Sequence, residues 1–302
     1  MPRYDAPTRD MRFILQEVLQ IQNYSNLPGF EEVTPDLVDA ILEEGGKFAK
    51  EVLFPLSAVG DRQGCVRNAD GSVKTPDGFP EAYKQLVEGG WPLLSVSPEL
   101  GGQGLPHLIS QASAEYIVGA DFSFGAFGFA THGAAKMIEI FGTDKQKELY
   151  LGKMYSGQWG GTMVLTEPEA GSDVGALTTT AVKNDDGTYS ISGNKIFITC
   201  GEQDLTENII HPVLARIEGA PAGTKGISLF IVPKVWVNDD GSFGELNDVV
   251  CTGIEEKLGL HASPTCQLAF GGKGGCRGVL LGEENKGMRV MFHMMNEARL
   301  GV

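Results

Sequence analysis

Helical and strand-like patterns occupy separate stretches of this chain, and that segregation limits the folds open to it. Up to about Gly157, apolar residues recur at helical spacing; beyond it, β-branched residues alternate with polar ones, and Asp-Gly and Gly-Asn turns appear. A parallel α/β fold needs the two patterns to alternate unit by unit, so it is disfavoured. No GxGxxG follows a strand and no P-loop is present, so a nicotinamide Rossmann domain and a nucleotide triphosphatase lose support. The expected class is α+β. A helical N-terminal domain (1–157) precedes an antiparallel β domain (158–284), and the start of a C-terminal helical domain follows (285–302).

Within the first stretch, Met1 to Tyr4 form an arm, and Thr8 or Asp10 is a candidate cap for a helix carrying Met11, Ile14, Leu15, Val18, Leu19 and Ile21. A second helix begins about Thr34 with Pro35 in its first turn and should stop near Pro55. Gly71, Pro76, Gly78 and Pro80 mark a loop, and a short helix covers Glu81–Glu88. Val96–His107 is a Gly/Pro loop, followed by helices over Leu108–Ala120, Ala130–Gly142 and Thr143–Leu151. The last has Thr143 as cap and Gln146 three residues on, a capping box.

In the second stretch, strands are expected at Thr162–Leu165, Thr178–Lys183, Tyr189–Thr199, Gly226–Val232, Leu268–Phe270 and Val279–Leu281. Asn184–Thr188 is a hairpin turn between two of them, and Asn238–Ser242 is another turn. From Gly287 the pattern is helical again, with an apolar face of Met, Val and Phe that has no evident partner in the chain.

Charge narrows the partners. Lysine and arginine number 24 against 39 acidic residues, a net charge of -15, which repels nucleic acid and anionic membranes. The five cysteines are scattered, the histidines show no HExxH, and no signal core opens the chain. The reading is a reduced cytoplasmic protein with no membrane span and no metal site.

The stretch Met163–Gly175, MVLTEPEAGSDVG, runs from a strand into a polar turn. Such a turn exposes backbone N–H groups and hydroxyls that suit an anion or a heterocycle edge. Downstream, in GNKIFITCG (Gly193–Gly201), residues two apart share a face, so Phe197 and Thr199 point one way while Ile196 and Ile198 point the other. The Phe197–Thr199 face pairs an aromatic ring with a hydroxyl, a combination that suits a flavin.

These two strings resemble the cofactor motifs of acyl-CoA dehydrogenases, TEPxAGSD and G-x-K-x-[WF]-I-T-x-G. Weaker matches follow in colinear order: SPELGGQGL (Ser97–Leu105) resembles the loop lining the acyl pocket, and FGTDKQKELYLGKM (Phe141–Met154) the helix before the β domain. Lys257–Gly259 with Ala262–Thr265 resembles a K-x-G-x-x-x-S-x-T run, and Asn296–Leu300 the D/E-x-x-R helix leading into the third domain. The N-terminal helix and the Pro233–Asn247 insertion look like those of the longer bacterial members, whose substrates include 3-methylmercaptopropionyl-CoA and medium- and long-chain acyl-CoAs.

The resemblance implies a β-barrel-like middle domain, FAD as cofactor, and α,β-dehydrogenation of an acyl-CoA as in fatty acid β-oxidation. It places Met163, Leu165 and Thr166 at the flavin pyrimidine edge, Gly171 and Ser172 at the pyrophosphate, Phe197 on the ring and Thr199 near N5. Ser172 and Arg299 are the candidate substrate contacts; a helix-surface pairing of Arg299 with Glu297 or nearby acids is the competing reading. The catalytic base is expected beyond Val302, in a longer enzyme of which this chain is the first part, because Glu167 and Glu169 sit in the cofactor turn and read as structural. The implied partners are an acyl-CoA, an electron-transferring flavoprotein as acceptor, and further subunits of a homodimer or homotetramer. The competing functions are a non-catalytic flavin or acyl-CoA binding subunit completed by a partner, and a flavin acyl-CoA oxidase or monooxygenase.

Overall fold

The computed structural model describes residues 3–302; Met1 and Pro2, the start of the expected arm, lie outside the described residues. Eight α-helices and twelve strands follow the expected order among them.

The first helix, α1 (Thr8–Arg12), has Pro7 at its N-cap position and no side-chain cap, so neither Thr8 nor Asp10 caps it. It continues as a π-turn over Phe13–Val18. In α2 (Pro35–Phe48) the Thr34 side chain accepts from the Leu37 N–H, with proline in the first turn as expected. The chain does not stop at Pro55. A π-turn over Ala49–Leu53, in which the Phe54 N–H reaches back to the Ala49 carbonyl, carries it into α3 (Phe54–Gln63). Proline lacks an N–H and its ring crowds the carbonyl four residues back; the wider turn places Pro55 in the first turn of the next helix, where both are tolerated.

A two-residue hairpin, β1 (Val66–Arg67) with β2 (Val73–Lys74), sits in the stretch expected to be loop. Then come α4 (Phe79–Glu88), α5 (His107–Ala120), α6 (Phe122–Phe141) and α7 (Asp144–Tyr155). The α6 helix begins eight residues before Ala130, because the Asp121 carboxylate accepts from the Phe124 N–H at 3.0 Å and starts it despite its glycines. Both halves of the α7 capping box are made.

The strands are β3 (Trp159–Gly161), β4 (Thr180–Lys183), β5 (Tyr189–Thr199), β6 (Asn208–Ile217), β7 (Ile227–Pro233), β8 (Val235–Val237), β9 (Phe243–Leu246), β10 (Val249–Glu255), β11 (Thr265–Phe270) and β12 (Arg277–Leu280). The first strand lies a few residues before the expected Thr162–Leu165, of which only Val164 makes a bridge, to Val213. Strands β6 and β10 were not anticipated. In β6 an internal proline, Pro212, argues against a central strand, yet β6 is buried over most of its length.

The barrel closes because β4 pairs with both β5 and β6, completing the ring β5–β12–β7–β6–β4. Most pairings are antiparallel, but β4 and β3 each run parallel to β6. Val164, Val213, Ala215, Phe230 and Val232 fill the barrel interior. Alternate residues, including Ile210, Leu214, Leu229 and Ile231, face outward against α6 and α7. The final helix α8 (Gly287–Gly301) lays Val290, Met291 and Met294 into this same layer. That apolar face therefore has a partner within the chain. Burial of each such side chain contributes about 1.5–3 kcal/mol. Met294 seats over Gly133 of α6, where a β-carbon would stand 2.8 Å from it. No helix among the described residues is long and apolar enough to cross a membrane.

Candidate functional site

The polar turn after β3 is anchored from inside. Glu167 and Ala170 exchange backbone hydrogen bonds of 3.2 and 3.1 Å, closing a tight loop. The Glu167 side chain is buried. Its carboxylate accepts from the Thr178 N–H and hydroxyl at 2.6 and 2.8 Å, and from the Thr179 N–H and hydroxyl at 3.0 and 2.5 Å. It also accepts from the Lys195 ammonium at 2.9 Å. Burial pushes the Glu167 carboxyl upward, but the Lys195 charge and the threonine donors outweigh it and hold it at about 2. For Lys195, 0% exposed, burial dominates over Glu167 and lowers the ammonium to about 8. The same ammonium donates to the Leu165 carbonyl at 3.0 Å.

Strand β5 does not alternate evenly. Opposite it on β11, Cys266 pairs with Ile198 and Leu268 with Lys195, so Ile196 and Phe197 together face Gln267 as a β-bulge. Phe197 takes the left-handed conformation, φ 58°. The bulge resets the phase: Lys195 and Ile198 point inward, Ile196 is only half-buried, and Phe197 and Thr199 are exposed. The expected pairing of Phe197 with Thr199 holds, whereas Ile196 does not share the buried environment of Ile198. Lys195 was passed over in the sequence, where a lysine inside a strand reads as a solvent-facing position.

A backbone hydrogen bond of 2.9 Å from Ile196 to the Thr166 carbonyl stitches the turn to the bulge. Around it lie Met163 and Leu165, half-buried on the outer barrel layer, and Thr166; Gly171 and Ser172 are exposed on the turn that follows. The hydroxyls of Thr166, Ser172 and Thr199 have no hydrogen-bond partner among the described residues. Arg299 lies on the exposed side of α8 and donates to the Asn296 side chain at 3.2 Å, not to Glu297. Glu297 instead faces His132, with a 3.9 Å separation.

A cavity of about 150 Å³ lies among α4, α5, α6 and α8. Its apolar part is lined by Tyr83, Ile117, Phe124, Gly128, Phe129 and Ala298. Because α5 and α6 run antiparallel, its other part carries His107, Ser110, Gln111 and His132. There the Tyr155 hydroxyl donates to the Glu139 carboxylate. Burial lowers the His132 pKa, against the opposing pull of Glu297. From the Ser97–Leu105 stretch, expected to line an acyl pocket, only Ser97 reaches the adjoining polar chamber. The cavity's signal in the sequence is a pair of glycines one turn apart in α6, Gly125 and Gly128.

Profiles of known families match most of this arrangement. The acyl-CoA dehydrogenase N-terminal domain matches residues 39–158, and the acyl-CoA dehydrogenase middle domain matches residues 162–272. A 3-methylmercaptopropionyl-CoA dehydrogenase of Ruegeria pomeroyi is 46% identical over 99% of this chain and 50% of its own length. The chain thus spans about half the length of the curated relatives it matches. Among solved structures, butyryl-CoA dehydrogenase from Megasphaera elsdenii superposes with a TM-score of 0.70 at 28% identity, covering 89% of this chain and 64% of that one. An acyl-CoA dehydrogenase from Bacillus anthracis complexed with FAD does so with a TM-score of 0.70 at 26% identity, covering 90% of this chain and 42% of that one. The chain belongs to the acyl-CoA dehydrogenase family, whose N-terminal and middle domains it carries.

Proposed function

We propose that this chain forms the flavin and acyl-CoA site of an FAD-dependent acyl-CoA dehydrogenase, which converts an acyl-CoA to its 2-enoyl-CoA. The observation that carries this is the 2.9 Å hydrogen bond from the Ile196 N–H to the Thr166 carbonyl, which joins the Thr166–Ser172 turn to the strand that exposes Phe197 and Thr199.

The donor set fits a flavin. Three unpartnered hydroxyls and an exposed ring offer hydrogen bonds to a polar heterocycle edge and a surface for its plane. Gly171 supplies room: a β-carbon there would meet only the Thr166 methyl, at 3.7 Å, so nothing within the protein demands a glycine. A ligand approaching the backbone would make use of that room. Met163, Leu165 and Thr166 would hold the pyrimidine edge, and Gly171 and Ser172 the pyrophosphate. Phe197 would pack on the ring and Thr199 would donate near N5. Bound there, FAD supplies the hydride acceptor.

The acyl chain enters the cavity beside α6, whose apolar wall excludes water from it. Ser172 and Arg299 are the candidate contacts to the CoA moiety. Glu167 cannot serve as the base that takes the α proton, because five donors already hold its carboxylate in the ionised, buried state. The base is assigned to the part of the enzyme outside these residues. The substrate is a 3-methylmercaptopropionyl-CoA or a medium- or long-chain acyl-CoA, the electron acceptor an electron-transferring flavoprotein, and the working unit a cytoplasmic homodimer or homotetramer.

The test is FAD binding followed by flavin fluorescence quenching, comparing the wild type with Thr199→Val. One flavin per chain and weaker binding by the variant are expected. A wild type that leaves flavin fluorescence unchanged at high protein concentration overturns the reading.

A further inference from the structure

The two cofactor-motif segments are joined by a pair of buried charges. Lys195 and Glu167 have side chains 0% and 3% exposed and lie 2.9 Å apart. Neither reaches the outer face where Phe197 and Thr199 stand. Burying two charges is costly, and such a pair is weak evidence for stability by itself. What it accomplishes locally is more specific. The Lys195 ammonium occupies the Leu165 carbonyl at 3.0 Å, and the Ile196 N–H occupies the Thr166 carbonyl at 2.9 Å. The two carbonyls leading into the turn are thereby consumed, while the hydroxyls of Thr166, Ser172 and Thr199 stay free.

We propose that Lys195 and Glu167 are positioning residues for the cofactor: they seat the Thr166–Ser172 turn on β5 and remove the competing carbonyls, leaving an edge of donors for the acceptor-rich rim of an isoalloxazine. This rests on the flavin reading above. Glu167 acts through Lys195 and through Thr178 and Thr179, which continue toward β4 and fix the far end of the same turn. The geometry explains why a lysine stands in a strand position that the barrel would otherwise fill with an apolar side chain.

The experiment measures FAD dissociation constants and thermal stability in parallel on the full-length protein. The variants are Lys195→Met, Glu167→Gln, the double variant Lys195→Met/Glu167→Gln, and the double variant Lys195→Gln/Glu167→Gln. Each single variant strands one buried charge and loses stability. Both double variants remove that charge imbalance, so their melting temperatures return toward wild type. The Met/Gln pair still lacks a donor for the Leu165 carbonyl and binds FAD about tenfold or more weakly. The Gln/Gln pair keeps an amide donor and recovers part of the affinity. A Met/Gln double variant with wild-type FAD affinity overturns the proposal, as do single variants that bind FAD normally. A wild type that binds no FAD instead defeats the flavin reading itself, and this inference with it.

Discussion

The Lys257 ammonium stands 5.2 Å from the centre of the Phe197 ring, over a residue whose backbone is left-handed, φ 58°. A β-carbon in that conformation costs about 1–2 kcal/mol. The bulge thus holds a strained aromatic out from the barrel, where it makes no core contact, and strain of this kind collects at functional positions. Phe197→Gly and Phe197→Ala lose the same ring, but only glycine relieves the backbone. Urea unfolding should find the glycine variant more stable than the alanine variant by about 1 kcal/mol, with both binding FAD more weakly than wild type. Equal stability of the two would show that the bulge carries no strain.

Gly128 tests the acyl cavity. A β-carbon added there meets nothing within 4 Å, whereas one at Gly125 would stand 3.0 Å from Val118. Gly128→Phe should therefore fold, and replacing a helical glycine offsets part of any packing cost, by up to about 1 kcal/mol. Its ring would occupy the space beside Phe129 and Ala298. Binding of long-chain acyl-CoAs should weaken by about tenfold or more relative to butyryl-CoA. An unchanged ratio would place the acyl chain elsewhere.

Acid stability reports on Glu167. Its carboxyl is held at about 2 in the fold, below the ordinary value of 4.5. A group with a lowered folded pKa contributes fully above its unfolded value and loses that contribution as pH falls through the folded one. The chain should lose up to about 3 kcal/mol of stability between roughly pH 4.5 and 2 from this group alone. Glu167→Gln should flatten that limb of the stability–pH profile, read by chemical unfolding at each pH. A variant with the same acid slope as wild type contradicts the ion-pair geometry.

The start of α6 depends on one side chain. Asp121 is buried and caps the Phe124 N–H at 3.0 Å. Asp121→Ala should cost about 1 kcal/mol, whereas Asp121→Asn should cost less. Thermal unfolding of the two variants distinguishes a cap from a solvent-facing acid.

The sequence revealed features whose causes are local. The α7 capping box, the proline in the first turn of α2 and the Asn184–Thr188 hairpin turn each lie within a few residues of what they shape, and all three are present. Features set by partners distant in the chain were harder to see. Pro212 looks like a strand breaker until the neighbours of β6 are known. Pro55 is a local exception: it reads as a helix stop, and the π-turn just before it makes room for it. The residues of the candidate site from Met163 to Thr199 were nameable because they fall in two short strings. The Lys195–Glu167 pair that braces them was not, because its meaning depends on a bulge opposite Gln267 that shifts which residues of β5 face inward.

The most direct test of the account is anaerobic flavin absorbance of this chain with added FAD, followed by titration with an acyl-CoA. The account predicts that the flavin bands shift on binding, that acyl-CoA perturbs them, and that the flavin stays oxidised because the base lies outside these residues. Bleaching at an enzymatic rate would place the base within this chain and contradict that assignment. Flavin bands identical to those of free FAD would contradict the site itself.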